Sequence, residues 1–392
     1  MKKLLAIILV LVLLMGIASG EGLEWNPVPG SPAEADGRPA PGNQLGYILL
    51  EELYASGENM VISPYSLALA LGMAAEGAEG ETLAQLKEIL CVEELRELTE
   101  APPEGVSSAN AAFVQPGVEL KEEYLAALEE YYAAGKFEID GEVVDKVNAW
   151  VEEKTNGLIR DMLSQAPDPL TGMILLNAVS MKADWAKPFF ESGTQEEIFH
   201  AESGDLAVQM MHQTDRFRYA EKDGVQIICL PYAQSDLEMW IALPAEDGEA
   251  GLDMAGLLDV LSGVGSFYLT GDAVDTKVEL SMPKFDIADD NSFVELIREL
   301  GMSLPFGAEA QFGGISDVPM YIGEIAQKAR VKVDEAGTEA AAVTMVAMAM
   351  MAAPGMAEEP VAMEINRPFM FAITDAASGS LCFAGVVENP AV

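Results

Sequence analysis

Cysteine, histidine and basic residues are scarce in this 392-residue chain: three Cys, two His and 22 Lys+Arg stand against 64 Asp+Glu. Cys91, Cys229 and Cys382 form no CxxC pair, which argues against a disulfide framework and against a thiol redox motif. Cys229 and Cys382 lie in apolar runs and read as buried strand residues. His200 and His212 sit near no second metal ligand at a recognised spacing, so a zinc site or a Ser-His-Asp triad would rest on one of these two. No Gly-x-Ser-x-Gly elbow, phosphate loop or dinucleotide fingerprint occurs, which leaves paired carboxylates as the one hydrolytic chemistry still open. The chain is therefore expected to be no enzyme, with no metal and no cofactor. A net charge of −42 repels nucleic acid, whose binding needs clustered cations. Such charge is usually a solvated face, though it also speeds encounter with basic partners.

Long apolar runs are equally scarce. Leu4–Met15 is the main one, shorter than the roughly 20 residues that a bilayer span needs. Lys2 and Lys3 precede it and Ala18-Ser19-Gly20 follows, so residues 1–20 read as a signal peptide and the chain as exported, with no membrane partner. Residues 21–42, rich in Pro and Gly, read as a flexible lead-in. No later break divides the chain, and residues 43–392 are taken as one domain.

What is present is a mixture of periods. Ser63-Pro64 followed by Tyr65, Leu67, Leu69 and Leu71 predicts a buried helix with Ser63 as N-cap. Leu83, Leu86, Ile89 and Leu90 stripe a second helix. Val143, Val147, Trp150 and Val151 stripe a third, from about 142 to 160, that Gly157 ends or interrupts. Leu237, Met239, Ile241 and Leu243 share one strand face, as do Val278, Leu280 and Met282. Helices and strands alternate without βαβ regularity, which predicts an α+β fold. One segment fits neither period: Val331–Glu335 reads as a strand ending near a turn at Gly337, and Thr338–Ala353 is almost wholly Ala, Met, Val and Thr. It suits an Ala-rich core helix by composition. It equally suits a strand, because Thr338, Ala340, Ala342, Thr344 and Val346 are all small or β-branched.

Several stretches in order resemble the serpin family of protease inhibitors, across Gln44–Val392. Asn59-Met60-Val61-Ile62-Ser63-Pro64-Tyr65-Ser66 is similar to the family's helix B entry. Asn148–Val151 with Thr155–Ile159 is similar to helix F, and Leu176–Val179 with Lys182, Trp185, Pro188 and Phe189 to the main-sheet strand and the turn after it. Asn366–Phe369 and Phe383–Pro390 complete the pattern. The resemblance implies a large mixed sheet with smaller sheets, about nine helices and an exposed reactive-centre loop at about 335–363. It implies a monomer whose partner is a target serine protease, held as a covalent acyl-enzyme complex.

The resemblance also implies roles for particular residues. Glu335, Gly337, Thr338, Glu339, Ala340, Ala341, Ala342 and Thr344 would form the hinge that enters the sheet after cleavage. Trp185, Lys284 and Glu335 would hold its base in the breach, and Ser63, Ser66, Asn177 and Gln327 would form the shutter beneath the sheet. Gln327 stands where the family usually has a histidine. Counting from Glu335 puts the reactive bond at Met351-Ala352, with Met356-Ala357 as the alternative because the distal loop is long. No Lys or Arg occurs from Ala336 to Met363, so elastase-, chymotrypsin- or subtilisin-like proteases are the expected targets. Small, uncharged inward positions in the hinge favour an inhibitor over a carrier, chaperone or storage protein.

Overall fold

The computed structural model describes residues 39–55, 57–98, 103–155, 157, 159–165, 173–244, 252–264, 268–338 and 358–391. The segment read as a signal peptide (1–20) and most of the lead-in (21–38) lie outside them. So do seven hinge and reactive-bond residues, namely Glu339, Ala340, Ala341, Ala342, Thr344, Met351 and Ala352.

The chain opens with α1 (Asn43–Leu53), β1 (Met60–Ile62), α2 (Pro64–Ala75) and α3 (Gly80–Leu90). Then come β2 (Val106–Val114), α4 (Glu122–Tyr132), β3 (Gly135–Glu138), α5 (Val143–Lys154), β4 (Met173–Met181) and β5 (Ala183–Asp184). Four strands follow, β6 (Gln195–Ala201), β7 (Gly204–Lys222), β8 (Val225–Pro231) and β9 (Leu237–Leu243), before α6 (Met254–Val264). The last third holds β10 (Val274–Pro283), β11 (Phe285–Ser292), α7 (Val294–Glu299), β12 (Ile322–Val333) and β13 (Gly337–Thr338). It closes with β14 (Val361–Glu364), β15 (Phe369–Asp375) and β16 (Leu381–Val387). Seven α-helices thus stand among the described residues, against about nine helices expected. Four further turns, such as Leu95–Leu98 and Leu304–Phe306, are only three to five residues long and close as 3-10 helices.

The strands form two sheets. The seven-stranded sheet runs β3-β2-β4-β12-β13-β5, with β11 also paired to β12. Within it β4 and β12 are parallel and directly bonded from Ile322–Met173 to Arg330–Ser180. The nine-stranded sheet runs β1-β16-β15-β9-β8-β7-β10-β14, with β6 on β7. The smaller sheets expected from sequence are fused there, because the 19-residue β7 pairs with β6 and β10 along most of its length and with β8 at its end.

The main core lies between the sheets and around α2. That helix is apolar all round and buried everywhere except Tyr65, as a central helix must be. Pro64 occupies its first turn, and Ser63 Oγ accepts from Ser66 N at 3.3 Å. β9 buries both faces: Leu237, Met239, Ile241 and Leu243 meet the seven-stranded sheet, while Trp240 and Ala242 meet the helices. On the outer face of the seven-stranded sheet α5 sets Val143, Val147 and Val151 over Ala109, Ala111, Phe113, Leu176 and Ala178. This helix ends at Lys154, earlier than its stripe suggests. Thr155 caps it by donating from Oγ1 to Val151 O at 2.7 Å, and Gly157 turns the chain at φ 80°.

Candidate functional site

Where β12 ends, the chain makes a tight turn and re-enters the sheet. Gly337 is not itself a turn residue: the turn is Asp334–Ala336, and Gly337 is extended inside β13. Asp334 closes the turn, its Oδ1 accepting from Ala336 N at 3.0 Å and its N donating to Gly337 O at 3.0 Å. Glycine is required at 337 for a different reason, close approach. A Cβ there would lie 2.2 Å from Ala183 O and 2.7 Å from Asp184 Cα, both backbone atoms.

The segment after β5 grips this turn. Trp185 N donates to Ala336 O and Phe189 N to Glu335 O, each at 2.8 Å, and Trp185 Nε1 donates to Asp334 O at 3.1 Å. Glu335 uses both carboxylate oxygens, receiving Lys284 Nζ and Thr194 Oγ1 at 2.7 Å each. Burial pushes this carboxyl up, but the hydrogen bonds from Lys284 and Thr194 outweigh it and hold the group below its ordinary 4.5. The structure thus brings together Trp185, Lys284 and Glu335.

β13 is two residues long and sits between β12 and β5. Thr338 pairs with Val333 on one side and Ala183 on the other, and it is 1% exposed. Its hydroxyl and that of Tyr232 are 2.6 Å apart, and Tyr232 stacks on Trp185 with ring centroids 4.4 Å apart. The first residue after Gly337 is therefore already under the sheet, on the inner face. Tyr232 and Thr194 were not found from sequence, since a lone Tyr after Leu-Pro and a lone Thr in a turn carry no periodic signal.

Lower in the same sheet lies a row of amides. Asn110, Asn177, Gln327 and Asn291 are register partners across β2, β4, β12 and β11. Gln327 clamps the backbone of Ser63, its Oε1 accepting from Ser63 N at 2.8 Å and its Nε2 donating to Ser63 O at 2.9 Å. Ser63 Oγ donates to Cys382 O at 2.6 Å. Asn177 turns away from this pair: its Nδ2 donates to Asn110 Oδ1 at 2.5 Å, while Asn110 Nδ2 donates to Tyr132 O at 3.1 Å. The expected cluster is thus two adjoining pairs, because Gln327 spends both ends of its amide on Ser63. Asn177 Oδ1, Ser66 Oγ and Asn291 Nδ2 are buried with no hydrogen-bond partner among the described residues. A lone Asn in the Ala- and Ser-rich strand 106–114 was the signal that would have found Asn110.

Other chemistry is sparse among the described residues. His200 meets Asp205 at 2.7 Å and His212 meets Glu197 at 2.9 Å, at separate places, and no three His, Cys, Asp or Glu group to hold a metal. Burial pushes the Cys229 thiol up to about 12 and Cys382 higher still, so neither is a nucleophile near neutrality. No helix among the described residues is long and apolar enough to cross a membrane.

Comparison with known proteins places this arrangement. The family model described as Serpin (serine protease inhibitor) matches residues 41–390. A serpin-like protein of Thermococcus kodakarensis is 35% identical over 372 residues, covering 89% of this chain and 84% of the relative. Iripin-3 of Ixodes ricinus is 32% identical, over 88% of this chain and 93% of its own. The native-state crystal structure of the thermophilic serpin tengpin superposes with a TM-score of 0.80 at 29% identity, covering 93% of this chain and 97% of that one.

Proposed function

This chain belongs to the serpin family, and from that premise we propose that it is a secreted, single-use inhibitor of serine proteases with apolar primary specificity. The observation that carries this reading is β13. A serpin loop works by entering the main sheet, and here the entry point is formed, lined by backbone and closed by Tyr232 over Thr338.

The protease serine Oγ attacks the carbonyl carbon of Met351, the Met351–Ala352 bond breaks, and the new amino terminus at Ala352 takes the proton and leaves. The ester to Met351 remains. Residues 339–351 then thread between β4 and β12, carrying the protease away before water reaches the ester. Insertion races hydrolysis, and each ~1.4 kcal/mol on the insertion barrier costs tenfold in rate. Methionine gains roughly 1.5–3 kcal/mol by burial in an apolar pocket, whereas a trypsin-like pocket finds no cation from 336 to 363.

Mixing the full-length protein with an elastase-like protease tests this. The expected product is a denaturant-resistant covalent complex, with a released fragment that begins at Ala352. Met351→Arg should redirect the protein to trypsin. Cleavage with full protease turnover would instead support a non-inhibitory carrier or storage role.

A further inference from the structure

We infer that a cavity at one end of the nine-stranded sheet is a binding site for a small organic ammonium with an apolar body, its cationic group received by Glu388. The site goes beyond the inhibitory reading, since none of its residues lies in the turn at 334–338, in β13 or in the amide row.

Its position follows from strand pairing. β15 runs antiparallel to β9 and β16, with Met370 opposite Ala242 and Phe369 opposite Val387. The start of β15 therefore lies beside the ends of β9 and β16. His200 N donates to Asn366 O at 2.7 Å, which brings the turn between β6 and β7 to the same place. Tyr54, just past α1, and Met254, at the start of α6, complete a cavity of about 610 Å³, within the range that takes a small-molecule ligand. The opposite end of the same strands is filled: Asn43 donates from Nδ2 to Gly379 O and accepts from Leu381 N, each at 2.9 Å.

The lining has two characters. Tyr54, Pro244, Met254 and Pro368 supply apolar walls. Among the described residues the carboxyls of Glu202, Asp253 and Glu388 stand against the guanidinium of Arg367, while His200 meets Asp205 at 2.7 Å. Arg367 donates from Nε to Pro244 O at 2.9 Å, so it joins the start of β15 to the end of β9 as well as offsetting one charge.

Glu388 is buried, at 2% exposure, whereas Glu202 and Asp253 are exposed. Its Oε1 accepts from Tyr54 Oη at 2.7 Å, and its backbone N donates to Asn59 Oδ1 at 2.8 Å, so the carboxyl is fixed before a ligand arrives. Burial first, and then the like charge of Glu202, hold this group above its ordinary 4.5 despite the bond from Tyr54. A glutamine would accept the same bond without either cost. What a carboxylate adds is attraction for a cation, and a cation near both acids relieves the repulsion between them. The apolar walls favour an ammonium that carries hydrophobic surface over a bare metal ion.

The full-length protein is titrated calorimetrically near neutral pH with tryptamine, neutral N-acetyltryptamine and anionic indole-3-propionate. Tryptamine should bind one site with a dissociation constant below about 1 mM, the acetylated compound roughly tenfold more weakly, and the acid not measurably. Glu388→Gln, which keeps an acceptor for Tyr54, should abolish the preference for the amine. Glu202→Gln should weaken tryptamine roughly threefold. Glu123→Gln removes the same charge from α4 and should change nothing, which separates a site from general attraction to a chain of charge −42. The comparison of the three compounds on the parent decides the matter even where Glu388→Gln does not fold. Equal affinity of the parent for amine and acetylated compound would overturn the site. So would no saturable binding of tryptamine up to about 10 mM, an unchanged preference in folded Glu388→Gln, or equal losses in Glu202→Gln and Glu123→Gln.

Discussion

Thr338 is held at three points, by Val333, by Ala183 and by the Tyr232 hydroxyl, and its side chain has no route to water. An arginine there places a guanidinium in a buried site, at a cost of several kcal/mol before relaxation. Such a residue holds β13 out of the sheet in the uncleaved protein, and if ~3 kcal/mol is met again on re-entry, insertion slows more than 100-fold and hydrolysis wins. Thr338→Arg should therefore be cleaved as a substrate; titration against a target protease checks it, and an unchanged stoichiometry of inhibition would contradict insertion through this point. Glu335 acts one turn earlier. Its carboxyl titrates lower folded than unfolded, so its stabilisation is complete above about 4.5 and is lost as pH falls through the lower, folded value. Exposure of Lys284 limits the pair to ~0–1 kcal/mol, so the larger effect is kinetic. Glu335→Lys, which sets two ammonium groups together and strands Thr194, should polymerise sooner than the parent on mild heating at pH 7. Size-exclusion chromatography measures it, and equal monomer lifetimes would refute it.

At the scale of elements, β4 and β12 are joined by backbone hydrogen bonds, yet Asn177 of β4 keeps a buried amide oxygen without a hydrogen-bond partner among the described residues, and Gln327 of β12 pins the seam to the start of α2. A Gln amide offers donor and acceptor from one end and does not titrate. In Gln327→His the two ring nitrogens point apart, so only one bond to Ser63 survives, a loss of about 1–3 kcal/mol. Protonation then sets a second donor against Ser63 N–H. The variant's histidine should titrate lower when folded, so stability should drop further as pH falls below ~6.5. The parent should stay flat between pH 6 and 8, and thermal melts across that range decide it. Much of this architecture was legible from residues. Ser63-Pro64 marked the start of α2, and the stripe Val143–Val147–Val151 marked α5. Glu335 with Lys284 followed from the family resemblance. Gly337 was not legible, because a glycine needed for backbone contact and one needed for a turn look alike in sequence. Nor was the pairing of Asn177 with Asn110 rather than Gln327, since which amide partners which depends on where each long side chain is already committed. The fusion of the smaller sheets depended on the unbroken run of β7, which alternation alone does not bound.

The whole molecule carries −42 charges on a fold held largely by apolar burial between two sheets. Self-repulsion of that size weakens the compact state, and salt shortens its range from about 10 Å at 0.1 M to 3 Å at 1 M. Raising NaCl from 0.02 to 0.5 M should lift the melting temperature by roughly 2–4 °C; a fall would mean that the surface ion pairs outweigh the repulsion. The two-residue β13 also bears on time. A slot that has been opened is blind to covalent connection: the loop of a neighbouring copy has the same residues as the molecule's own and fits the same groove. Self-insertion proceeds at a rate set by one molecule alone, whereas insertion from a neighbour needs an encounter and rises with crowding. Under the inhibitory reading, the working lifetime of a preparation is then a property of its dilution, and stock strength and shelf life cannot be chosen independently.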